Sequence, residues 1–222
     1  YAWREAEPFR FLTIPGARPG LVLQYSKTTT MKHLIVYAHP NTSSANHHLK
    51  ETAAAAIRRA GHEVEIRDLY AIGFDPVLSL QDMQGQMKGE NEENIVREQE
   101  YIRRADAVTF IYPVWWTGMP AIMKGYVDRV MTYGFAYRYD QGVQQGLLRG
   151  KAAYIFNTHG KSHEEYRASG MDNALRLTSD AGIYRYCGFD VKQHLFFDRA
   201  DRATAEVLAV WARDVEAAYS AC

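Results

Sequence analysis

Val114-Trp-Trp-Thr117 stands between two chain breaks, and its residue types suit contact with a flat aromatic molecule. Before it, Val108-Thr-Phe-Ile-Tyr112 is an apolar run of β-formers, and Pro113 has no N–H to give a sheet ladder. After it, Gly118-Met119-Pro120 leads into a helix on which Met123, Tyr126, Val127, Val130 and Met131 recur at helical spacing. The loop therefore leaves the carboxyl end of a buried strand, the place where open parallel sheets bind ligands. Two uses stay open for the tryptophan pair: a ring against a ligand, or both rings closing the top of the core.

Two other loops could do chemistry. His39-Pro-Asn-Thr-Ser-Ser-Ala-Asn46 follows the apolar run His33–Ala38 and precedes a helix with Leu49, Ala53, Ile57 and Ala60 on one stripe. Its hydroxyls and N–H groups, backed by a helix N-terminus, make an anion site suited to phosphate. An ordinary helix cap needs only one such residue, and the three consecutive hydroxyls Thr42 to Ser44 exceed that need. The third loop, Thr158-His-Gly-Lys-Ser-His163, follows the run Lys151–Asn157 and offers backbone donors around Gly160. His47-His48 has no further ligand at suitable spacing, so a solvated pair is expected there and no metal site.

These loops need a scaffold that brings them together. Apolar runs at 33–38, 63–67, 108–112, 151–157 and 191–197 read as strands, and the second, alternating in character, as an edge. Amphipathic helices are expected at 95–104, at 174–186 with Gly182 weakening its middle, and at 203–219 with Val207, Val210, Trp211 and Val215 inward. Residues 81–92 show no usable period and read as an excursion. Five strands alternating with helices give a doubly wound α/β domain with a parallel sheet and helices on both faces. The flavodoxin-like strand order 2-1-3-4-5 puts the three loops side by side at one edge. A phosphorylated planar heterocycle would meet all three, and flavin is the simplest ligand of that shape.

Composition narrows the classes. Twenty-six basic and 26 acidic residues cancel, so no charge field points to nucleic acid or an anionic membrane surface. No apolar span suits a membrane, and Cys187 and Cys222 form no ligand or redox spacing, so a cytoplasmic protein is expected. Residues 1–30, with Pro8, Pro15, Gly16, Pro19 and Gly20, read as an extension or added arm outside a 31–222 domain.

Tyr112-Pro-Val-Trp-Trp-Thr-Gly-Met-Pro-Ala-Ile-Met-Lys-Gly-Tyr-Val-Asp-Arg-Val130, followed by Tyr133-Gly-Phe-Ala-Tyr137, resembles the NAD(P)H:quinone oxidoreductase family, relatives of DT-diaphorase with a flavodoxin-like fold. Ala38-His39-Pro40 with Ser43, Ser44 and Asn46, Asp68-Leu-Tyr-Ala71 and Cys187-Gly-Phe189 carry the same likeness, in order, from Met31 to about Phe197. The resemblance implies that His39, Ser43, Ser44 and Asn46 line the flavin's phosphate and ribityl side. Pro113, Val114, Trp115, Trp116 and Thr117 would run along the isoalloxazine, with Trp116 near its face. Asn157, Thr158, His159 and Gly160 would offer N–H groups to its polar edge, and Tyr166 would hold negative charge near N1–O2. Tyr137 and Tyr139 would close the substrate pocket of a partner subunit, which implies a homodimer with shared sites.

Two departures bear on catalysis. Asn157-Thr-His-Gly160 replaces a common Thr-Thr-Gly-Gly, so His159 adds a titratable ring where glycine would leave space. The sixth position after Tyr166 is Asp172 where better-known members have histidine, which leaves His159 and His163 as substitutes. The chain also ends soon after its last helix, as expected of a compact member. The implied activity is two-electron reduction of quinones, and of azo or nitro compounds, by NAD(P)H in ping-pong order, with hydride passing through flavin N5. FAD is the expected cofactor, with FMN the alternative. A flavodoxin-type electron carrier would want an acidic docking face that this neutral chain lacks. A regulatory flavoprotein partner of a membrane transporter is the other class kept open.

Overall fold

The computed structural model describes residues 30–220. The 1–30 segment, apart from Thr30, and Cys222 lie outside the described residues. In chain order the first half runs β1 (Lys32–Tyr37), α1 (Ala45–Arg59), β2 (Glu63–Asp68), α2 (Leu80–Lys88), α3 (Glu93–Arg104), β3 (Ala107–Pro113) and α4 (Ala121–Val130). The second half runs β4 (Tyr137–Asp140), β5 (Val143–Gly146), β6 (Ala152–Thr158), α5 (His163–Ser169) and α6 (Met171–Arg176). It continues through a π-helix at Leu177–Arg185, β7 (Asp190–Phe197), a 3-10 turn at Ala200–Arg202 and α7 (Ala205–Ala218).

Five parallel strands form one sheet in the order β2-β1-β3-β6-β7, the expected 2-1-3-4-5 with a hairpin inserted. All seven residues of β3 are buried, as a central strand covered on both faces requires. Alternation divides β1 between two cores: Leu34 and Val36 join Phe110, Tyr126 and Tyr184 on one face, while Ile35 and Tyr37 join Leu49, Ile57 and Trp211 on the other. Leu49, Ala53 and Ile57 of α1 are buried as their spacing predicted, whereas Ala60, expected on the same stripe, is exposed as the residue that caps the helix's C-terminus. In α7, Trp211 and Val215 are buried, but Val207 and Val210 are exposed, because the helix turns a narrower stripe to the sheet than expected.

Three elements depart from the sequence reading. Residues 81–92 are not an aperiodic excursion: α2 occupies most of them, capped by a reciprocal Ser79–Asp82 box and ended by Gly89 at φ 75°. It docks through ions rather than an apolar stripe. Arg129, buried in α4, donates to Asp82 at 3.0 and 3.2 Å, to Glu92 at 3.0 Å and to the Asp75 carbonyl at 2.8 Å. The β4–β5 hairpin was unread; Gln141 and Gly142 form its turn at φ 49° and 80°. The helix expected over 174–186 is α6 running into the π-helix, an unusual winding that often marks a functional site. Among the described residues no helix is long and apolar enough to cross a membrane.

Candidate active site

The loops after β1, β3 and β6 meet at the carboxyl end of the sheet, around a cavity of about 580 Å3. On the β1 side, the Asn41 side chain accepts from Ser43 N at 2.8 Å, and the Asn41 carbonyl accepts from Ser44 N at 3.2 Å. This tight turn lets Ser44 cap α1 by accepting from His47 N. The cap therefore uses one hydroxyl, and Ser43 stands exposed beside the helix N-terminus. Burial lowers the proton affinity of His39, against the Asn41 backbone bond that raises it. Asn46 is buried; its amide donates to the Thr158 hydroxyl at 2.6 Å, tying the first loop to the third. Its Oδ1 has no donor among the described residues, a costly state that a bound donor would relieve.

On the β3 side, Val114 N donates to the Thr158 carbonyl at 2.7 Å. Trp115 and Gly118 then exchange both backbone bonds at 3.1 Å, which leaves Trp116 and Thr117 as a two-residue turn. Both have positive φ, 50° and 57°, where hairpins of this kind normally place asparagine and glycine. For a β-branched threonine this is a real outlier, of order 1–3 kcal/mol. The turn points its rings outward: Trp116 is 100% exposed and Trp115 41%. Neither closes the core. Trp115 borders the cavity with its ring 5.7 Å from that of His39, whereas Trp116 faces solvent.

On the β6 side, the N–H of His159 is engaged by the Phe197 carbonyl at 2.9 Å, while the N–H of Gly160 has no partner among the described residues. The His159 ring is buried and lies flat on Tyr166, with centroids 4.1 Å apart and planes 10° apart. Neither ring nitrogen completes a hydrogen bond. Burial and the neighbouring His163 lower its proton affinity, and the Lys161 backbone and Asp198 oppose them. Its ring is the wall between the large cavity and a smaller one of about 270 Å3 that Tyr166, His163, Asp172 and Arg176 also border. Tyr166, raised by burial, thus borders the small cavity, with His159 between it and the large one. His163 is half-exposed, 3.5 Å from the Asp198 carboxylate. Lys161 and Glu165 pair at 3.1 Å on the surface, and Glu165 also completes the box that caps α5.

His39, Ser43, Ser44, Asn46, Pro113, Val114, Trp115, Thr158, His159 and Gly160 therefore share one cavity. Asn157 and Thr117 border a third space of about 370 Å3 on the side of α6 and the π-helix. Tyr137 and Tyr139 border none of these. They sit on the hairpin in a separate aromatic group, with the Tyr139 and Tyr186 hydroxyls 3.0 Å apart. Sequence reasoning missed Ala200, Asp201, Ala203 and Leu208, which form the far wall of the large cavity. Nothing local marks them; α7 packs against α1 on one face of the sheet, with Leu49, Ile57, Trp211 and Val215 in a common core, and this brings the segment after β7 beside the loop after β1.

A family model described as a flavodoxin-like fold matches residues 31–218. An uncharacterized NAD(P)H oxidoreductase of Haemophilus influenzae is 37% identical over 187 residues, covering 81% of this chain and 93% of that protein. The NAD(P)H dehydrogenase (quinone) 1 of Cavia porcellus is 33% identical over 207 residues, covering 82% of this chain and 75% of its own. The solved NAD(P)H:quinone oxidoreductase of Methanothermobacter marburgensis superposes with a TM-score of 0.77 at 28% identity, covering 85% of this chain and 97% of that one.

Proposed function

This chain belongs to the NAD(P)H:quinone oxidoreductase family, which has the flavodoxin-like fold, and on that premise we propose that it reduces quinones with NAD(P)H by means of a bound flavin. The observation that carries the reading is the convergence of three loops on one cavity whose buried Asn46 oxygen lacks a donor. The residues fit such a group. Ser43 and the first turn of α1 suit the phosphate, and Asn46 and His39 suit the polyol chain. Pro113, Val114 and Trp115 suit the ring, and the free N–H of Gly160 its polar edge. FAD is our assignment, with FMN sharing this half of the molecule.

When bound, the flavin would supply hydride acceptance from the nicotinamide and hydride donation to the acceptor, the two substrates using one site in turn. The chain's own part is orientation and charge. Trp115 fixes the approach of flat molecules, and the Gly160 N–H is a donor for charge developing at the ring's edge. The Tyr166 hydroxyl is the second donor, and His159, stacked on it, controls its access to the cavity. His159 and His163, whose rings meet edge to face at 5.6 Å, would be the titratable rings beside Tyr166 in the small cavity. The exposed Trp116 and Tyr139, with the half-buried Tyr137, would be surfaces for a second subunit and a flat acceptor, so the reading includes a homodimer with shared sites. Azo and nitro compounds would be further acceptors of the same chemistry.

The test is the visible spectrum of the purified protein, followed by anaerobic NADPH and then menadione. A yellow protein that bleaches with the first and recolours with the second supports cofactor, donor and order together. A colourless protein that takes up neither FAD nor FMN sinks the function.

A further inference from the structure

Three buried polar side chains from three elements form one line behind the site. His194 of β7 has Nδ1 2.7 Å from Asp180 Oδ1 of the π-helix and Nε2 2.8 Å from Asn157 Oδ1 of β6. Asn157 Nδ2 in turn lies 3.1 Å from the Tyr112 carbonyl of β3. All three are at most 6% exposed. A backbone carbonyl can only accept, so the amide nitrogen of Asn157 must face Tyr112 and its oxygen must face His194. Nε2 therefore carries a proton. The Nδ1 contact then needs a second one, because a bare ring nitrogen and a carboxylate at 2.7 Å would repel. The pair thus holds one shared proton that an isolated neutral histidine and an aspartate would not.

The surroundings act on that proton in both directions. Arg176 of α6 stands 4.0 Å from Asp180 Oδ2 and donates to the His194 carbonyl; the Ser179 hydroxyl is 3.0 Å from Asp180. The Tyr112 and Tyr184 phenols, 3.4 Å apart, are near enough for the Asp180 charge to raise their proton affinity, and the Phe196 ring covers the imidazole at 4.2 Å. Burial and the Arg176 charge lower the proton affinity of His194 on balance, and the Asp180 carboxylate opposes them through the 2.7 Å contact, which is the geometry that calls for the proton. Asn157 immediately precedes Thr158, the residue that receives both Val114 N and the Asn46 amide.

We propose that Asp180 and His194 are positioning residues: by holding one proton between them they lock the Asn157 amide, and through it the two loops at the flavin's polar edge. The role at the edge rests on the function proposed above; the locked amide does not. The π-helix has a reason in this arrangement, since its winding presents Asp180 to β7.

Two measurements test it. In flavin-free protein, nitrogen-15 spectra of His194 are expected to show Nε2 protonated throughout pH 5.5–8.5; a bare Nε2 at neutral pH overturns the proposal. In flavin-loaded protein, His194→Phe removes the donor to Asn157 and is expected to shift the reduction equilibrium tenfold or more, about 30 mV for a two-electron couple. Asp180→Asn, with His194 in place, keeps the shape and can donate to Nδ1, so Nε2 stays protonated and the potential should stay close to that of the unaltered protein. An unchanged potential in His194→Phe leaves the pair purely structural and overturns its role at the site. If that variant does not fold, the spectrum of the unaltered protein still decides on the lock. A protein with Nε2 protonated that takes up no flavin sinks the proposed function and the role at the edge together, while a flavin-loaded protein with bare Nε2 sinks the lock alone.

Discussion

The two ends of the sheet treat buried histidine differently. At the carboxyl end, His159 is stacked on Tyr166 between two cavities, next to a strained Trp116-Thr117 turn and an unpartnered Asn46 oxygen. At the amino end, His33 is stacked on His62 at 5.6 Å and edged by Tyr219, among closed contacts: Asp106 accepts from Lys32 N at 2.8 Å, and Lys151 donates to the Arg103 carbonyl at 2.8 Å. Both rings are buried with unpartnered nitrogens and both border a cavity, of about 250 Å3 for His33, but only the cavities at His159 are framed by the loops that leave the carboxyl ends of the strands. Unmet ring nitrogens are thus common to both ends, and what the carboxyl end adds is strain: Trp116 and Thr117 hold positive φ, as residues at a binding site do.

The largest expected effect lies at the amino end. Burial, then His62, holds His33 down to about 4 against an ordinary 6.5. The folded chain keeps it neutral and the unfolded chain protonates it below 6.5, so its contribution is complete above that pH and is lost as pH falls towards about 4. The loss should reach roughly 3 kcal/mol, read as a fall in denaturant midpoint that His33→Phe flattens. A midpoint that does not respond to acid in the unaltered chain would remove the contrast between the ends. At the carboxyl end, Tyr166→Phe should slow flavin reduction by on the order of 10²-fold, with flavin still bound and stability unchanged. Unchanged stopped-flow kinetics would take Tyr166 out of the mechanism.

A smaller effect has the opposite sign. Thr117→Gly should stabilise the fold by about 1 kcal/mol, because glycine accepts positive φ without strain, while acceptor turnover declines. A destabilised variant would mean that the turn is not a store of strain. The smallest effect belongs to the surface pair: Lys161→Ala should cost no more than about 0.5 kcal/mol, since exposed ion pairs are screened. A larger loss in thermal unfolding would show that the loop after β6 depends on it.

Where a signal was local, it was legible. Apolar runs placed four of the sheet strands and alternation the second, and the stripe of Leu49, Ala53 and Ile57 placed α1, because burial on one face imposes its period on the residues themselves. The three loops could be named for the same reason: each directly follows such a run. The helix at 80–88 escaped because it docks by Asp82 and Arg129, 47 residues apart, and no apolar period records an ion pair. The hairpin escaped because Tyr137–Asp140 and Val143–Gly146 carry little apolar alternation.

By itself, then, the sequence determined a doubly wound sheet and which loops crowd its carboxyl edge, since strand periodicity and short right-handed connections leave few other arrangements. Only the tertiary structure decided how those loops are joined. Asn46 meets Thr158 across 112 residues, His194 joins Asn157 across 37 and Asp180 across 14, and the ring of His159 takes its place against Tyr166. Hydrogen bonds and ring stacks depend on direction as well as residue type, and direction exists only once the backbone has been placed.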